Sequence, residues 1–180
     1  GVVDQPAARR VHSAPTPRFG GLPLYGAFFA ALAVSLFYPR SDPFEMTRLA
    51  GLTLGATLLF FVGAYDDHRE LSALPQLLAQ IGAAICAVAS GVVIRQVQNP
   101  FGGTFDLEPW FAILFTLFWI VGMTNTVNWL DGIDGLAAGV VAIAGILLFI
   151  HTLWLGQLSI GLLALALVGT VLGFLLFNFP

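Results

Sequence analysis

Six apolar runs, near residues 20–38, 48–65, 74–93, 110–128, 135–155 and 158–177, leave this chain few ways to fold. Each is close to the ~20 residues that an α-helix, rising about 1.5 Å per residue, needs to cross a hydrocarbon layer of about 30 Å. Lipid offers no partner to backbone N–H and C=O groups, so every run is expected to be a helix. Composition agrees, with 58% of the 180 residues hydrophobic and 9% charged, against roughly 25% charged in a soluble domain. The expected fold class is all-α: a polytopic membrane protein with six transmembrane helices. Seven arginines, no lysine and a net charge of −3 exclude a nucleic-acid surface, which needs basic stripes. The lone Cys86 lies inside a run, supplies no disulfide framework and reads as a small apolar filler.

Small residues four apart, Gly51/Gly55, Gly135/Gly139 and Gly169/Gly173, suit close helix–helix packing. Trp110, Trp129 and Trp154 fall near predicted helix ends, where interfacial aromatics belong. The segment "VIRQVQNPFGGTFDLEP" predicts a small β-hairpin turning at Gly102-Gly103, and "PRSDPFEMT" reads as an ordinary polar loop. With six spans, segments 1–19, 66–73 and 129–134 share one membrane side, and 39–47, 94–109 and 156–157 the other. The arginine-bearing arm "RRVHSAPTPR" assigns the first of these to the cytoplasm. The chain opens on Gly1 without a methionine and stops inside an apolar run, so it is expected to be a piece of a longer protein.

Parity brings the acidic residues together. Asp66 and Asp67 follow one helix in "VGAYDDHREL", and Asp131 and Asp134 follow another in "NTVNWLDGIDGLAAG". Two spans separate the pairs, so all four carboxylates are expected to face one another on one side. Adjacent carboxylates call for a cation or a shared proton. Two such pairs make a hard-oxygen site suited to Mg²⁺, which keeps water and accepts substrate phosphates as ligands. An EF-hand is excluded, because the oxygen ligands it needs at 133 and 135 are Ile and Gly. Asp134 stands in N-cap position for the next helix, so capping is one of its expected roles. Asn125 and Asn128, at i and i+3, share a helical face aimed at the same region, although such a pair also suits an interhelical hydrogen bond. Arg9, Arg10, His12 and Arg18 offer positive charge to an anionic partner or to lipid headgroups.

Taken together, "DQPAARRVHSAPTPRFGG", "DDHREL", "NTVNWLDGIDGLAAG" and the closing "GFLLFNFP" resemble the polyprenyl-phosphate N-acetylhexosamine-1-phosphate transferase family, glycosyltransferase family 4. The resemblance implies transfer of a sugar-1-phosphate from a UDP-sugar to a polyprenyl phosphate, with Mg²⁺ and release of UMP, at the cytoplasmic face of a bacterial inner membrane. It implies that Asp66 and Asp67 are the catalytic acidic pair. It also assigns Asn128 and Asp131 to the metal, and Arg9, His12, Thr16, Arg18, Asn125, Asp131, Asp134 and Asn178 to substrate binding. Thr16-Pro17-Arg18 ahead of Gly20-Gly21 looks more like the N-acetylglucosamine branch than the phospho-N-acetylmuramoyl-pentapeptide branch. The position nine after Asp67, often basic in the family, is Gln76. The resemblance further implies that residues 1–180 form one membrane-embedded transferase domain, incomplete at both ends and inactive alone. A homodimer is among the open options for assembly.

The rival class is an ion-coupled transporter, whose ionisable residues also cluster in membrane helices, though nearer the midplane. A non-catalytic membrane scaffold is a second rival.

Overall fold

The computed structural model describes residues 3–4, 16–17, 21–40 and 42–178. Six helices account for most of them: α1 (Gly21–Ser35), α2 (Glu45–Arg69), α3 (Ala73–Ala89), α4 (Pro109–Leu130), α5 (Leu136–Trp154) and α6 (Leu158–Asn178). Two short antiparallel pairs accompany them, β1 (Val3–Asp4) with β2 (Thr16–Pro17), and β3 (Gln96–Gln98) with β4 (Thr104–Asp106). All six expected helices are present among the described residues. Four of them, α2, α4, α5 and α6, are long and apolar enough to cross a membrane, whereas α1 and α3 are shorter apolar helices.

The shortfall has local causes. Residues Leu36, Phe37 and Tyr38 bond back to the carbonyls of Ala33, Val34 and Ser35, a tightened turn that closes α1 ahead of Pro39. Gly91, at φ 95°, turns the chain out of α3 after the Ser90 cap. In the opposite direction, α2 runs past its apolar stretch. Asp66 and Asp67 therefore lie in its last turn, not after it, and the helix closes at Glu70, whose left-handed φ of 50° sets its N–H on the Asp66 carbonyl at 2.8 Å.

The described chain forms two compact units. One contains α1, α5 and α6 with β1–β2. Here Gly145 lies so close to Val168 that a Cβ would stand 2.6 Å from its Cγ2, and Gly161 is equally tight against Thr152 Oγ1 at 2.5 Å. These are the glycines that let α5 and α6 approach. Gly139, Gly169 and Gly173 meet nothing within 4 Å among the described residues, so the expected pair Gly169/Gly173 is not a close-packing point there, and Gly139 makes no close approach. Ala138, Ala142 and Val171 form the small buried core of this unit.

The second unit, Arg40–Gly132, holds α2, α3, α4 and the β3–β4 hairpin. Here the expected Gly51/Gly55 pair does bring helices together. A Cβ on Gly55 would stand 2.8 Å from the Ala83 carbonyl oxygen, and one on Gly51 would stand 2.6 Å from that of Cys86. Gly82 meets Leu58 in turn, so residue numbers fall on α3 as they rise on α2 and the pair is antiparallel. Small buried side chains, Ala83, Ala84, Ala87 and Ala112, fill the unit, as expected where close backbone approach supplies the attraction between membrane helices. The hairpin turns as read from sequence. Asn99 N–H bonds the Gly103 carbonyl, Asn99 Oδ1 accepts the Phe101 N–H, and Gly102 and Gly103 take φ of 111° and 79°. Thr116, fully buried, accepts the Ile94 N–H at 2.9 Å and so ties the strand leading to the hairpin onto α4. Trp110 and Trp129 mark the two ends of α4 and Trp154 the end of α5, all exposed. Large exposed apolar side chains such as Leu54, Phe61, Phe118 and Leu147 suit a surface wetted by lipid.

Candidate functional site

The second unit gathers polar side chains at the end where α2 finishes, α3 starts and α4 finishes. Asp66 is the hub of the α2–α3 turn. Its Oδ1 accepts the Leu71 N–H at 2.5 Å, and its Oδ2 accepts Gln76 Nε2 at 3.0 Å. Gln76 Nε2 also reaches the Leu71 carbonyl at 3.3 Å. One turn further along α3, Gln80 forms a reciprocal amide pair with Asn125 of α4. Asn125 Nδ2 donates to Gln80 Oε1 at 2.6 Å, and Gln80 Nε2 donates to Asn125 Oδ1 at 3.4 Å. The Asn125 amide also donates to the Val121 carbonyl at 2.8 Å. Gln76 and Gln80 are therefore spaced so that one helix face serves two neighbours, α2 through Gln76 and α4 through Gln80.

Sequence reasoning named Gln76 only as a neutral residue and passed over Gln80. The available signal was plain: these are the only polar side chains in "ALPQLLAQIGAAICAVA". Amides isolated in an apolar helix usually find a partner on another helix.

The expected site residues fall out as follows. Asp67 is exposed in the last turn of α2, beside the half-buried Asp66. Asn125 is half-buried and used in helix pairing, while Asn128, one turn later, is exposed. Asp131 is the C-cap of α4, its N–H on the Asn128 carbonyl at 3.3 Å. Asp134 belongs to the other unit, in the turn before α5. The N-cap of that helix is Gly135, at φ 75°, so the capping position expected for Asp134 is taken by its neighbour. The reason is conformational: the turn needs a left-handed residue, which glycine adopts without a Cβ clash. Thr16 lies in β2, opposite Asp4, and its side chain is outside the described set. Arg9, His12, Arg18 and the side chain of Asn178 are likewise outside the described residues.

Among the described residues, no three His, Cys, Asp or Glu side chains gather closely enough to hold a metal ion by themselves. A closed protein cage is thus not what this end offers. The donors present are exposed carboxylate and carboxamide oxygens on helix ends, the kind that complete an Mg²⁺ shell together with water and phosphate.

The opposite end of the same unit is built differently. Arg40 pairs with the buried Glu45, and Arg48 with Asp42 at 2.6 Å. Asp42 also accepts the Phe44 N–H at 2.8 Å, and this hydrogen bond, aided by Arg48, holds its carboxyl below the usual carboxylate range. Near the hairpin, a cavity of about 750 Å³ is lined by Val88, Arg95, Asp106, Pro109 and Ile113 among others.

Against known proteins, the family model described as Glycosyl transferase family 4 matches residues 49–180. The chain is 38% identical over 180 residues to the probable undecaprenyl-phosphate N-acetylglucosaminyl 1-phosphate transferase of Bacillus subtilis (strain 168), covering 99% of this chain and 48% of that protein. It is 35% identical over 190 residues to the decaprenyl-phosphate N-acetylglucosaminephosphotransferase of Mycobacterium leprae (strain TN), covering 98% and 48%. It is 30% identical over 175 residues to a phospho-N-acetylmuramoyl-pentapeptide-transferase of Staphylococcus aureus (strain MSSA476), covering 91% and 54%. The chain thus spans about half the length of these curated relatives. No solved structure matches it.

Proposed function

The chain belongs to glycosyl transferase family 4, and on that premise we propose that its protein transfers N-acetylglucosamine-1-phosphate from a UDP-sugar to a polyprenyl phosphate. A non-bridging oxygen of the lipid phosphate attacks the sugar-linked β-phosphorus. The bond to the α-phosphate oxygen breaks, UMP leaves, and a polyprenyl diphosphate sugar remains. The reaction belongs at the cytoplasmic face of a bacterial plasma membrane, the side to which the arginine-bearing arm was assigned.

The observation that carries this reading is the set of carboxylate and amide groups at the end of the unit where α2 and α4 finish, beyond the apolar lengths of these helices. A membrane-bound phosphate and a soluble nucleotide-sugar can meet only at such an end. A transporter would hold its carboxylates near the midplane, where α2 and α4 are apolar. The relatives named as N-acetylglucosamine transferases support the choice of sugar over the muramoyl-pentapeptide alternative, which the Staphylococcus relative keeps open within the same family.

Asp67, Asp131 and Asn128 are the groups that would hold Mg²⁺. When bound, the ion would neutralise charge between two phosphates that otherwise repel. Asp67, exposed in the last turn of α2, would orient the lipid phosphate. Asp134 and Asn178, with the arm residues Arg9, His12, Thr16 and Arg18, are assigned to the nucleotide-sugar, an anion suited to arginines. Little covalent help is required of the protein, mostly positioning and charge neutralisation. The test supplies radiolabelled UDP-N-acetylglucosamine and polyprenyl phosphate to the intact gene product in detergent, with Mg²⁺ or with EDTA. Labelled lipid and UMP are expected with Mg²⁺ only. Absence of both at saturating substrate would refute the assignment.

A further inference from the structure

The cavity at the hairpin end of the second unit, about 750 Å³, falls within the range of about 300–1,000 Å³ usual for small-molecule sites. Its walls are the end of α3, the base of the hairpin and the start of α4. Backbone ties fix those walls. Ile94 N–H donates to the buried Thr116 Oγ1 at 2.9 Å, Leu107 N–H donates to the Arg95 carbonyl at 2.8 Å, and Gln96 stands opposite Asp106 in the hairpin. Trp110 is exposed in the first turn of α4, a helix long and apolar enough to cross a membrane, and so sets the cavity at the level of the interface.

Two charged residues line this cavity, Arg95 and Asp106, both exposed. Among the described residues they form no ion pair, with each other or with any other group. They are the exception at an end where Arg40 is matched to Glu45 and Arg48 to Asp42. Asp106 is held by a neutral donor, Gln96 Nε2 on its Oδ1 at 2.7 Å, which leaves its charge intact. Beside these two charges the lining is apolar, with Val88, Leu107 and Ile113.

We propose that this cavity binds a zwitterionic phospholipid: Arg95 takes the headgroup phosphate, Asp106 takes a primary ammonium on the same headgroup, and the apolar wall takes the start of an acyl chain. The inference stands apart from the transfer reaction and from the site at the end of α2. One unmatched cation and one unmatched anion in a single cavity fit a ligand that carries both signs and no net charge. A simple anion would answer Arg95 and be repelled by Asp106. The guanidinium suits phosphate because its N–H groups fork onto two oxygens. Asp106 Oδ2, which accepts from no described group, can accept an ammonium N–H; a choline headgroup has the charge but no N–H to give.

The test titrates the intact gene product in detergent with phosphatidylethanolamine, phosphatidylcholine and phosphatidylglycerol of identical chains, reading bound lipid by native mass spectrometry. Phosphatidylethanolamine is expected to bind about tenfold more tightly than either of the others. Arg95→Gln should weaken it by about tenfold or more. Asp106→Asn keeps an acceptor for Gln96 and should abolish the preference over phosphatidylcholine, whose own affinity stays within about threefold. Ile113→Trp fills the apolar wall without touching either charge and should also weaken phosphatidylethanolamine about tenfold. Thermal midpoints of the two charge variants should hold, since both side chains are exposed and neither is ion-paired; should Ile113→Trp unfold, these two variants decide the matter. Equal affinity for the three lipids, or a preference for phosphatidylglycerol, overturns the proposal. So does an Asp106→Asn that keeps the wild-type preference. Displacement of the lipid by millimolar inorganic phosphate would reveal a plain anion site and overturn it as well.

Discussion

The two ends of the α2–α3–α4 unit are both polar, and they satisfy that polarity in opposite ways. At the hairpin end, positive and negative side chains are matched within the unit, Arg40 with Glu45 and Arg48 with Asp42. At the other end, Asp66 is held by a backbone amide and Gln76, and Asn125 by Gln80, all neutral partners. A neutral hydrogen bond fixes a carboxylate in place without cancelling its charge, whereas an ion pair cancels it. The first arrangement keeps a negative field for an incoming cation, and the second has no use for one. The difference teaches that polar groups in one membrane-helix unit can be held either by opposite charges or by neutral amides.

The comparison can be broken at either end. The largest effect belongs to Asp67→Asn, expected to reduce UMP release by two orders of magnitude or more, about 2.7 kcal/mol of barrier, with an unchanged thermal midpoint. An equal loss of folding would move Asp67 to the structural side. Next, Glu45→Ala removes the partner of a guanidinium tucked into the unit and should cost about 3–5 kcal/mol of stability. Calorimetry would read this, while turnover per folded molecule stays near wild type. Lost turnover in the folded variant would erase the contrast between the ends. Gln80→Leu is expected to cost about 1–3 kcal/mol, because the Asn125 amide loses its cross-helix partner. Adding Asn125→Leu should cost less than the sum of the single changes, as measured in a double-mutant cycle. The smallest effect is at Asp42. Its folded pKa is lowered, so its stabilisation is complete above the ordinary value of 3.8 and is lost as pH falls through the folded value. Asp42→Asn should lower stability slightly at neutral pH and flatten its further loss as pH falls below 3.8, as read from acid unfolding curves.

Much of this organisation was legible before any coordinates. Long apolar runs dictate helices because lipid forbids unpaired backbone, and Gly102-Gly103 dictates the hairpin turn because both positions need positive φ. What hydropathy could not locate were the helix ends. It stops α2 where charge begins, yet the backbone ladder continues for another turn to Arg69, since a helix ends where its cap is and not where its apolarity ends. The glycine spacing identified one true contact, Gly51/Gly55, and one pair, Gly169/Gly173, that makes none among the described residues, because four-residue spacing recurs by chance in glycine-rich helices. At the proposed site, the aspartates announced themselves as charges in a greasy chain. Gln80 did not, because its meaning depends on Asn125, 45 residues away. The loop "PRSDPFEMT" read as ordinary for the same reason: the burial of Glu45 against Arg40 is a tertiary fact.

The face of α3 that carries Gln76 and Gln80 has a reverse side. Leu74, Leu77 and Leu78 are exposed at the same height along the helix. Gln80 lies seven residues beyond Ala73, about 10 Å down the axis. A single helix, about 10 Å across, therefore separates hydrocarbon on one side from a file of amides and carboxylates on the other. Such a wall is a dielectric boundary. Field lines from the end of α2 cannot relax into water through it, so a charge brought against Asp67 from the membrane side is felt at closer to protein strength than to bulk-water strength. A cation arriving beside that boundary would be drawn to the carboxylate with one flank unscreened, and an anionic phosphate on a lipid tail would need that cation between itself and Asp67.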